Sequence, residues 1–102
     1  MGVQVNEDRF AVISQSLDVA SVAANTTAEQ DFTVPGLKTG DFVQVNKPSL
    51  SAGLGVVNAR VKAANTLSIT FVNATGSPIN PSAETYLIHV FRPEKTYTAF
   101  TL

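Results

Sequence analysis

The sequence predicts an all-β fold, an antiparallel β-sandwich of immunoglobulin-like or jelly-roll-like topology, with about six core strands and terminal extensions. Short segments of alternating apolar and polar residues recur along the 102-residue chain, as half-buried antiparallel strands require. Turn residues separate these segments at intervals of roughly 8–12 residues, which is typical of sandwiches and barrels. Charged residues make up only 15% of the chain, below the roughly 25% of an average domain, and this favours a sandwich or a partly covered exterior.

The stretch from Gly53 to Gly76 has the clearest pattern and predicts one long β-hairpin with its tip near Ala64 and Asn65. Apolar residues occupy every second position in both arms, so each arm has one apolar and one polar face. The predicted inward residues are Val57, Ala59, Val61 and Ala63 in the first arm, and Leu67, Ile69 and Phe71 in the second.

Strands are also predicted on both sides of the hairpin. One of them ends at Pro35-Gly36, because proline cannot donate to a ladder and glycine permits the turn, and Leu37 follows as an apolar anchor. Near the start of the chain, Phe10 to Ile13 could be the first pairing segment or a plug on the core, while a helix over residues 10–24 is disfavoured by the β-branched content. The predicted strands are residues 27–34, 42–46 and 84–92.

The strand at residues 84–92 is apolar on both of its faces. A strand of this kind either lies in the centre of a sheet with both faces covered, or is covered on its second face by another chain. The residues of one face are Tyr86, Ile88 and Val90, and those of the other are Leu87, His89 and Phe91.

We divide the chain into an N-terminal arm at residues 1–15, a β-sandwich domain at 16–93 and a C-terminal tail at 94–102. Two leucines in the long connection at residues 47–55 either cap one end of the sandwich or face a partner subunit. Apolar side chains on the arm and tail would be exposed on mobile strand edges, which soluble proteins avoid. The candidate interface residues are therefore Val3, Val5, Leu50, Leu54, Tyr97, Phe100 and Leu102.

The sequence contains no recognisable constellation of catalytic or ligand-binding residues. His89 is the single histidine and there is no cysteine, so a thiolate site or a histidine cluster is not expected. Glu29 and Asp31 share a strand face and could bind a divalent cation or act as an acid pair, but no aromatic platform accompanies them. We expect a protein that is not an enzyme, with no catalytic residues, metal or cofactor.

Charge and hydropathy argue against two classes of partner. The net charge is −1 and the basic residues are scattered, so we expect no nucleic-acid surface. No apolar run approaches the roughly 20 residues of a membrane span, and the polar N-terminus lacks the pattern of a signal peptide. These features predict a soluble protein that is made in a cytoplasm.

Several motifs carry a family resemblance between Asp31 and Pro93. They are V-P-G-L-x-x-G-D at Val34–Asp41, V-N-K-P at Val45–Pro48, A-G-L-G-V-V-N-A-R-V at Ala52–Val61, N-T-L-S-I-T-F-V-N-A-T at Asn65–Thr75 and E-T-Y at Glu84–Tyr86. In these motifs the chain resembles a group of small virion structural proteins of tailed bacteriophages.

The resemblance implies a role at the particle surface and transfers no catalytic residues. The expected function is capsid decoration: a homo-oligomer, with a trimer favoured because icosahedral heads offer threefold positions, binds the major capsid protein and cements the capsid surface of the virion. Synthesis would take place in the host cytoplasm. The alternative is an immunoglobulin-like binding module of a phage tail or fibre that recognises a host receptor or glycan, which exposed aromatics at one loop end would favour.

Overall fold

The computed structural model describes residues 9–96, 98 and 99. Within these residues the chain forms six β-strands and no helix, so the predicted all-β fold is confirmed. Accordingly, this part of the chain contains no helix that could span a membrane. The strands are β1 (Arg9–Leu17), β2 (Thr26–Thr33), β3 (Phe42–Asn46), β4 (Leu54–Ala63), β5 (Thr66–Asn73) and β6 (Glu84–Arg92).

The strands form two antiparallel sheets that pack as the two layers of a sandwich. The first sheet has the order β1-β6-β3 and the second has the order β2-β5-β4. In immunoglobulin sandwiches, strands B, E and D lie in one sheet and strands C, F and G in the other. Strands β2 to β6 take the places of B to F, and β1 pairs with β6 where strand G would lie. The strand with two apolar faces, β6, is therefore central in its sheet.

The first sheet begins at Arg9, within the segment that the sequence assigns to an N-terminal arm. Strand β1 pairs with β6 along its whole length, from Arg9 opposite Arg92 to Leu17 opposite Glu84. Residues 9–15 are thus part of the sandwich. Of the two possibilities for residues 10–13, the structure shows the pairing segment rather than a plug on the core, and it shows no helix there.

The core lies between the two sheets. Its buried residues come from β1, β4, β5, β6 and the connecting segments, and β2 and β3 add partly buried residues. Strands β5 and β6 contribute the residues that the alternation predicts, and Leu37 is the predicted anchor, with 1% of its surface exposed. Burial of such side chains stabilises the fold by roughly 1.5–3 kcal/mol each. The buried hydrophobic residues are Leu17, Val19, Val22, Val34, Leu37, Leu54, Val61, Leu67, Ile69, Phe71, Tyr86, Ile88 and Val90.

The hairpin β4-β5 departs from the predicted alternation in its first arm. Its register shifts between Val56 and Asn58, so Val57 is the extra residue of a β-bulge, which inverts the facing of the residues before it. Val57 is exposed rather than inward, and Val56 packs against the core instead. A second shift precedes Ala63, which is also exposed rather than inward. The predicted facing was therefore wrong for Val57 and Ala63, because a strict period of two contains no bulge.

The two ends of β6 are fixed by polar contacts to neighbouring loops. Arg92 donates two hydrogen bonds to the carboxylate of Asp41, at 2.7 and 2.8 Å, and a third to the carbonyl of Gly36. At the opposite end, the Nζ of Lys47 lies 2.8 Å from a carboxylate oxygen of Glu84. These contacts hold the central strand of the first sheet between its loops.

Candidate interaction surface

The solvent-facing side of the first sheet carries an unusual density of apolar side chains. Residues of β6 alternate between buried and outward positions, and the antiparallel register places the outward residues of β1 and β3 on the same side. We call this side the aromatic face. Its apolar and aromatic residues are Phe10, Val12, Phe42, Leu87, His89 and Phe91.

Three phenylalanines form a row across the whole width of this face. Phe91 of β6 is the register partner of both Phe10 on β1 and Phe42 on β3. The ring centroids of Phe10 and Phe91 are 4.8 Å apart, and those of Phe42 and Phe91 are 5.9 Å apart in an edge-on geometry. Both separations lie in the range in which aromatic pairs attract. The row is therefore a packed cluster rather than three independent rings.

The row next to the phenylalanines contains the histidine. His89 has Val12 and Gln44 as register partners on the two flanking strands. Its imidazole stacks near the Phe10 ring, with centroids 6.2 Å apart and planes inclined by 15°. The histidine thus lies in the middle strand of a surface that carries both apolar and uncharged polar side chains, and it is itself exposed.

Three apolar side chains of this face are largely exposed to solvent. The exposed fractions are 71% for Phe10, 66% for Val12 and 63% for Phe42. Three strands at about 4.8 Å spacing and seven residues at about 3.4 Å give a face of roughly 14 by 24 Å, or about 340 Å², which the apolar residues share with Ser14, Ser16, Gln44, Asn46 and Thr85. An apolar patch of a few hundred Å² on a monomer is often a site of interaction.

The outer side of the second sheet has the opposite character, and we call it the charged face. Arg60 donates two hydrogen bonds to Glu29 at 2.8 and 2.9 Å. Asp31 accepts one from the hydroxyl of Ser68 at 2.6 Å and one from Lys62 at 3.0 Å. Arg60 lowers the pKa of Glu29, and the bonds from Ser68 and Lys62 lower the pKa of Asp31.

The two acids considered as a cation or acid–base pair therefore belong to ion pairs with cationic side chains. The carboxylates of Glu29 and Asp31 are both ionised and hydrogen-bonded, so neither has the raised pKa that a proton donor would need. Among the described residues, no group of three or more histidine, cysteine, aspartate or glutamate side chains could hold a metal ion.

A cleft of about 230 Å³ borders the aromatic face beside Phe10. Its lining is mainly apolar and includes no carboxylate, histidine or hydroxyl side chain. The residues of the lining are Arg9, Phe10, Ala11, Ile13, Gly36, Leu37, Val90 and Arg92. The cleft can extend an apolar contact but offers no group for acid–base or nucleophilic chemistry.

Of the candidate interface residues predicted from the sequence, the structure describes only two, and these differ in burial. Leu50 is 87% exposed in the loop before β4, whereas Leu54 is buried in the core. Leu54 therefore caps the sandwich, and Leu50 remains available to a partner. The other candidates lie outside the described residues: Val3, Val5, Tyr97, Phe100 and Leu102.

Three residues of the aromatic face were not identified as candidates from the sequence: Phe10, Val12 and Phe42. The second apolar side of β6 was the available signal, since it raised the possibility of a covering chain. What was missing was the pairing of β6 with β1 and β3, which brings the three phenylalanines into one row. Comparison with known proteins adds no assignment, because no family model, curated protein or solved structure matches the chain.

Proposed function

We propose that this protein is a non-enzymatic structural protein that assembles through its aromatic face, in the role of a decoration protein on the capsid surface of a tailed phage. It acts as a homo-oligomer that binds the major capsid protein. The observation that carries the proposal is the row of three phenylalanines on the outer side of the first sheet, of which Phe10 and Phe42 are exposed and Phe91 is half-buried. The phage context comes from the sequence motifs between Asp31 and Pro93.

The physical reason is the free energy that this face gains on being covered. Removing a Phe, Leu or Val side chain from water is worth roughly 1.5–3 kcal/mol, and several such residues lie side by side. Because a capsid repeats the same contact many times, a modest gain per copy stabilises the whole particle through mass action. This is how a small domain without catalytic groups can cement a shell.

The alternative function, recognition of a receptor or glycan, predicts aromatic side chains clustered at one loop end. The three phenylalanines lie near one end of the first sheet, at or beside the starts of β1 and β3 and the end of β6, but on the sheet face rather than in the connecting loops. We favour contact with another protein because the row consists of three apolar rings packed on one another, whereas a sugar site combines a few aromatic rings with convergent polar groups.

Co-sedimentation with capsids purified from the phage that encodes the protein tests the proposal. We expect the wild-type chain to pellet with capsids and the double variant Phe10→Ser/Phe42→Ser to remain in the supernatant while staying folded. Val57→Ser is a matched control, because Val57 is 57% exposed but lies on β4, in the other sheet. Capsid binding that is unchanged in the double variant, or no binding by the wild type, contradicts the proposal.

The terminal candidates need a separate variant. Tyr97, Phe100 and Leu102 belong to the predicted tail, and deletion of residues 96–102 removes them without touching the six strands. If the tail is an assembly element, the truncated protein remains folded but becomes a monomer in solution or no longer binds capsids. If the truncated protein keeps the same number of subunits and still binds capsids, the tail is not needed and the sandwich alone mediates assembly.

A further inference from the structure

We propose that the outer edge of β1 binds residues 3–7 of a second copy of this chain, which add to the first sheet as a further strand. The inference rests on the homo-oligomer of the proposed function and names the contact that forms it. It is carried by the open edge of β1, the charge of Arg9 and the side-chain pattern of the segment that precedes β1.

Strand β1 is the one edge strand of the described sandwich without a feature that blocks further pairing. Natural edge strands are protected by bulges, by charged side chains or by short length. Strand β4 has two register shifts, β2 carries Glu29 and Asp31, and β3 has only five residues. Strand β1 has nine residues and an unbroken register with β6, with neither charge nor proline from Phe10 to Leu17. No described strand pairs with its outer edge, so its backbone groups there can accept a further strand.

Arg9 gives this edge a charge that no described residue neutralises. The cationic side chains on β4 and β6 are each in an ion pair, whereas Arg9 is exposed and forms no ion pair with a described residue. It lies on the inner side of β1 with Ala11 and Ile13, and the three line the apolar cleft. A strand that fits this row has an acidic residue beside Arg9 and apolar residues beside the other two.

The segment directly before β1 has this pattern, although it lies outside the described part of the chain. Its apolar and acidic residues occupy alternate positions, so an extended strand over residues 3–7 presents them on one side. Placed antiparallel to β1, the strand sets an acid opposite the arginine and valines opposite the apolar residues. The resulting pairs are Glu7 with Arg9, Val5 with Ala11, and Val3 with Ile13. The C-terminal tail has no acidic residue after Glu94 and lacks this match.

The charges select both the source and the register of the added strand. Glu7 cannot lie opposite Arg9 of its own chain, because a β-hairpin needs a loop of at least two residues and only Asp8 lies between them. The segment therefore comes from another copy. Of the registers that a twofold axis normal to the sheet allows, the neighbouring ones place Glu7 opposite Glu7 or Arg9 opposite Arg9, and like charges oppose both.

The exchange of segments is reciprocal and produces a dimer. Residues 3–13 of the two copies form one antiparallel pair about the twofold axis, which joins two three-stranded sheets into one. Main-chain hydrogen bonds along the pair give affinity, and the alternate side chains give specificity. Because the axis is normal to the sheet, both aromatic faces lie on the same side of the dimer, where one capsid surface can contact both.

Sedimentation velocity of the full chain, at about 1 to 100 µM protein and low ionic strength, tests the inference through a charge swap. We expect a wild-type dimer. Glu7→Arg or Arg9→Glu alone sets like charges opposite each other and should raise the dissociation constant by roughly tenfold or more. The double variant Glu7→Arg/Arg9→Glu should restore the wild-type value, because it only exchanges the two partners. Asp18→Arg, just beyond the end of β1, is the control and should behave as the wild type.

The centre of the pair provides a second measurement on the same instrument. The register places Asp8 opposite its own copy on the twofold axis, and like charges directly opposite each other weaken pairing. Asp8→Asn should therefore lower the dissociation constant by roughly twofold to fivefold, whereas Asp18→Asn should leave it unchanged. A dimer that Asp8→Asn weakens contradicts this register.

Each other outcome has a definite consequence. A trimer, or a dimer whose dissociation constant is unchanged by both single charge variants or not restored in the double variant, overturns the pairing at the β1 edge but leaves the homo-oligomer. A wild-type monomer that still pellets with capsids overturns the inference and leaves capsid binding. A dimer with the expected charge-swap behaviour that binds no capsid supports the inference and overturns the capsid role. A monomer that binds no capsid overturns both.

Discussion

The aromatic face and the charged face occupy equivalent positions in the sandwich but carry side chains of different kinds. Each is the outer side of three antiparallel strands, with β6 or β5 in the middle. The charged face satisfies its polar groups within its own surface, through ion pairs between neighbouring strands. The aromatic face has no ion pairs of this kind, because apolar side chains gain free energy only when they are removed from water. Strand pairing therefore does not determine the side chains of an outer face, and the difference between these two faces is the basis of the proposed contact.

The largest expected effect comes from the core that both faces share. Ile69 and Phe71 lie on the inner side of β5 and are fully buried. Replacing either by alanine leaves a cavity and should lower the free energy of unfolding by roughly 2–5 kcal/mol. Chemical denaturation monitored by circular dichroism measures this loss. If both variants unfold at the wild-type midpoint, the assignment of β5 residues to the inner face is incorrect.

The next largest effect concerns the contact that anchors β6 beneath the aromatic face. The bonds from Arg92 lower the pKa of Asp41, and the backbone N–H of Lys38 adds to this effect. The folded state favours the ionised form of this carboxylate. Its contribution to the free energy of unfolding is therefore present above the ordinary aspartate pKa and is lost as the pH falls through the lower pKa of the folded state.

Asp41→Asn removes this contribution and should cost roughly 1.5–3 kcal/mol at neutral pH, because charge-assisted hydrogen bonds are lost. The difference in unfolding free energy between wild type and variant should shrink as the pH falls below about 4. Glu29→Gln on the charged face is the control, since its carboxylate is exposed. A difference that stays constant down to pH 2 would contradict the role of the Asp41 charge.

Much of the fold could be predicted from the sequence because most strands follow a strict period of two. Strand β3 lies where it was predicted, β6 shows the predicted faces, and Leu37 is the predicted anchor. The exceptions are instructive. Val57 was placed inward because a bulge leaves no mark in the hydrophobic pattern. Strand β1 was assigned largely to an arm, and its apolar run Phe10–Ile13 shows no alternation.

The candidate surface could be predicted only in part. The sequence showed that β6 has a second apolar side, but one strand cannot reveal whether its neighbours share that property. Phe10 and Phe42 are far apart in sequence, and they meet Phe91 only through the register of two separate strand pairs. Long-range pairing of this kind is a property of the sheet rather than of any local segment.

A smaller effect is expected at the tyrosine beneath the aromatic face. Tyr86 is fully buried, and its hydroxyl has no hydrogen-bond partner among the described residues. Burial, with a smaller effect from Glu84, raises its pKa to about 12. Above about pH 10 the tyrosine of the unfolded chain loses its proton, whereas Tyr86 of the folded chain keeps it. The free energy of unfolding therefore falls as the pH rises toward the pKa of the folded state.

Tyr86→Phe removes an unsatisfied polar group and should raise the free energy of unfolding by about 1 kcal/mol at neutral pH. Stability between about pH 10 and 12 should also fall less steeply than in the wild type. Urea unfolding across this pH range provides the measurement. A clear loss of stability at neutral pH would mean that the hydroxyl has a partner in solution, as in the tyrosine corner of immunoglobulin domains.

The smallest effects on stability are expected on the two outer faces, where they distinguish the faces most directly. Phe42→Ser loses one aromatic contact with Phe91 and should cost about 1 kcal/mol. Arg60→Gln breaks an exposed ion pair and should leave the unfolding midpoint nearly unchanged, with any difference removed by high salt. Retention on a hydrophobic interaction column should separate them: Phe42→Ser should elute earlier than the wild type, because the apolar row is interrupted, while Arg60→Gln should not. Equal retention of Phe42→Ser and wild type would mean that the aromatic face is covered within the single chain, and would remove the basis for a partner at that surface.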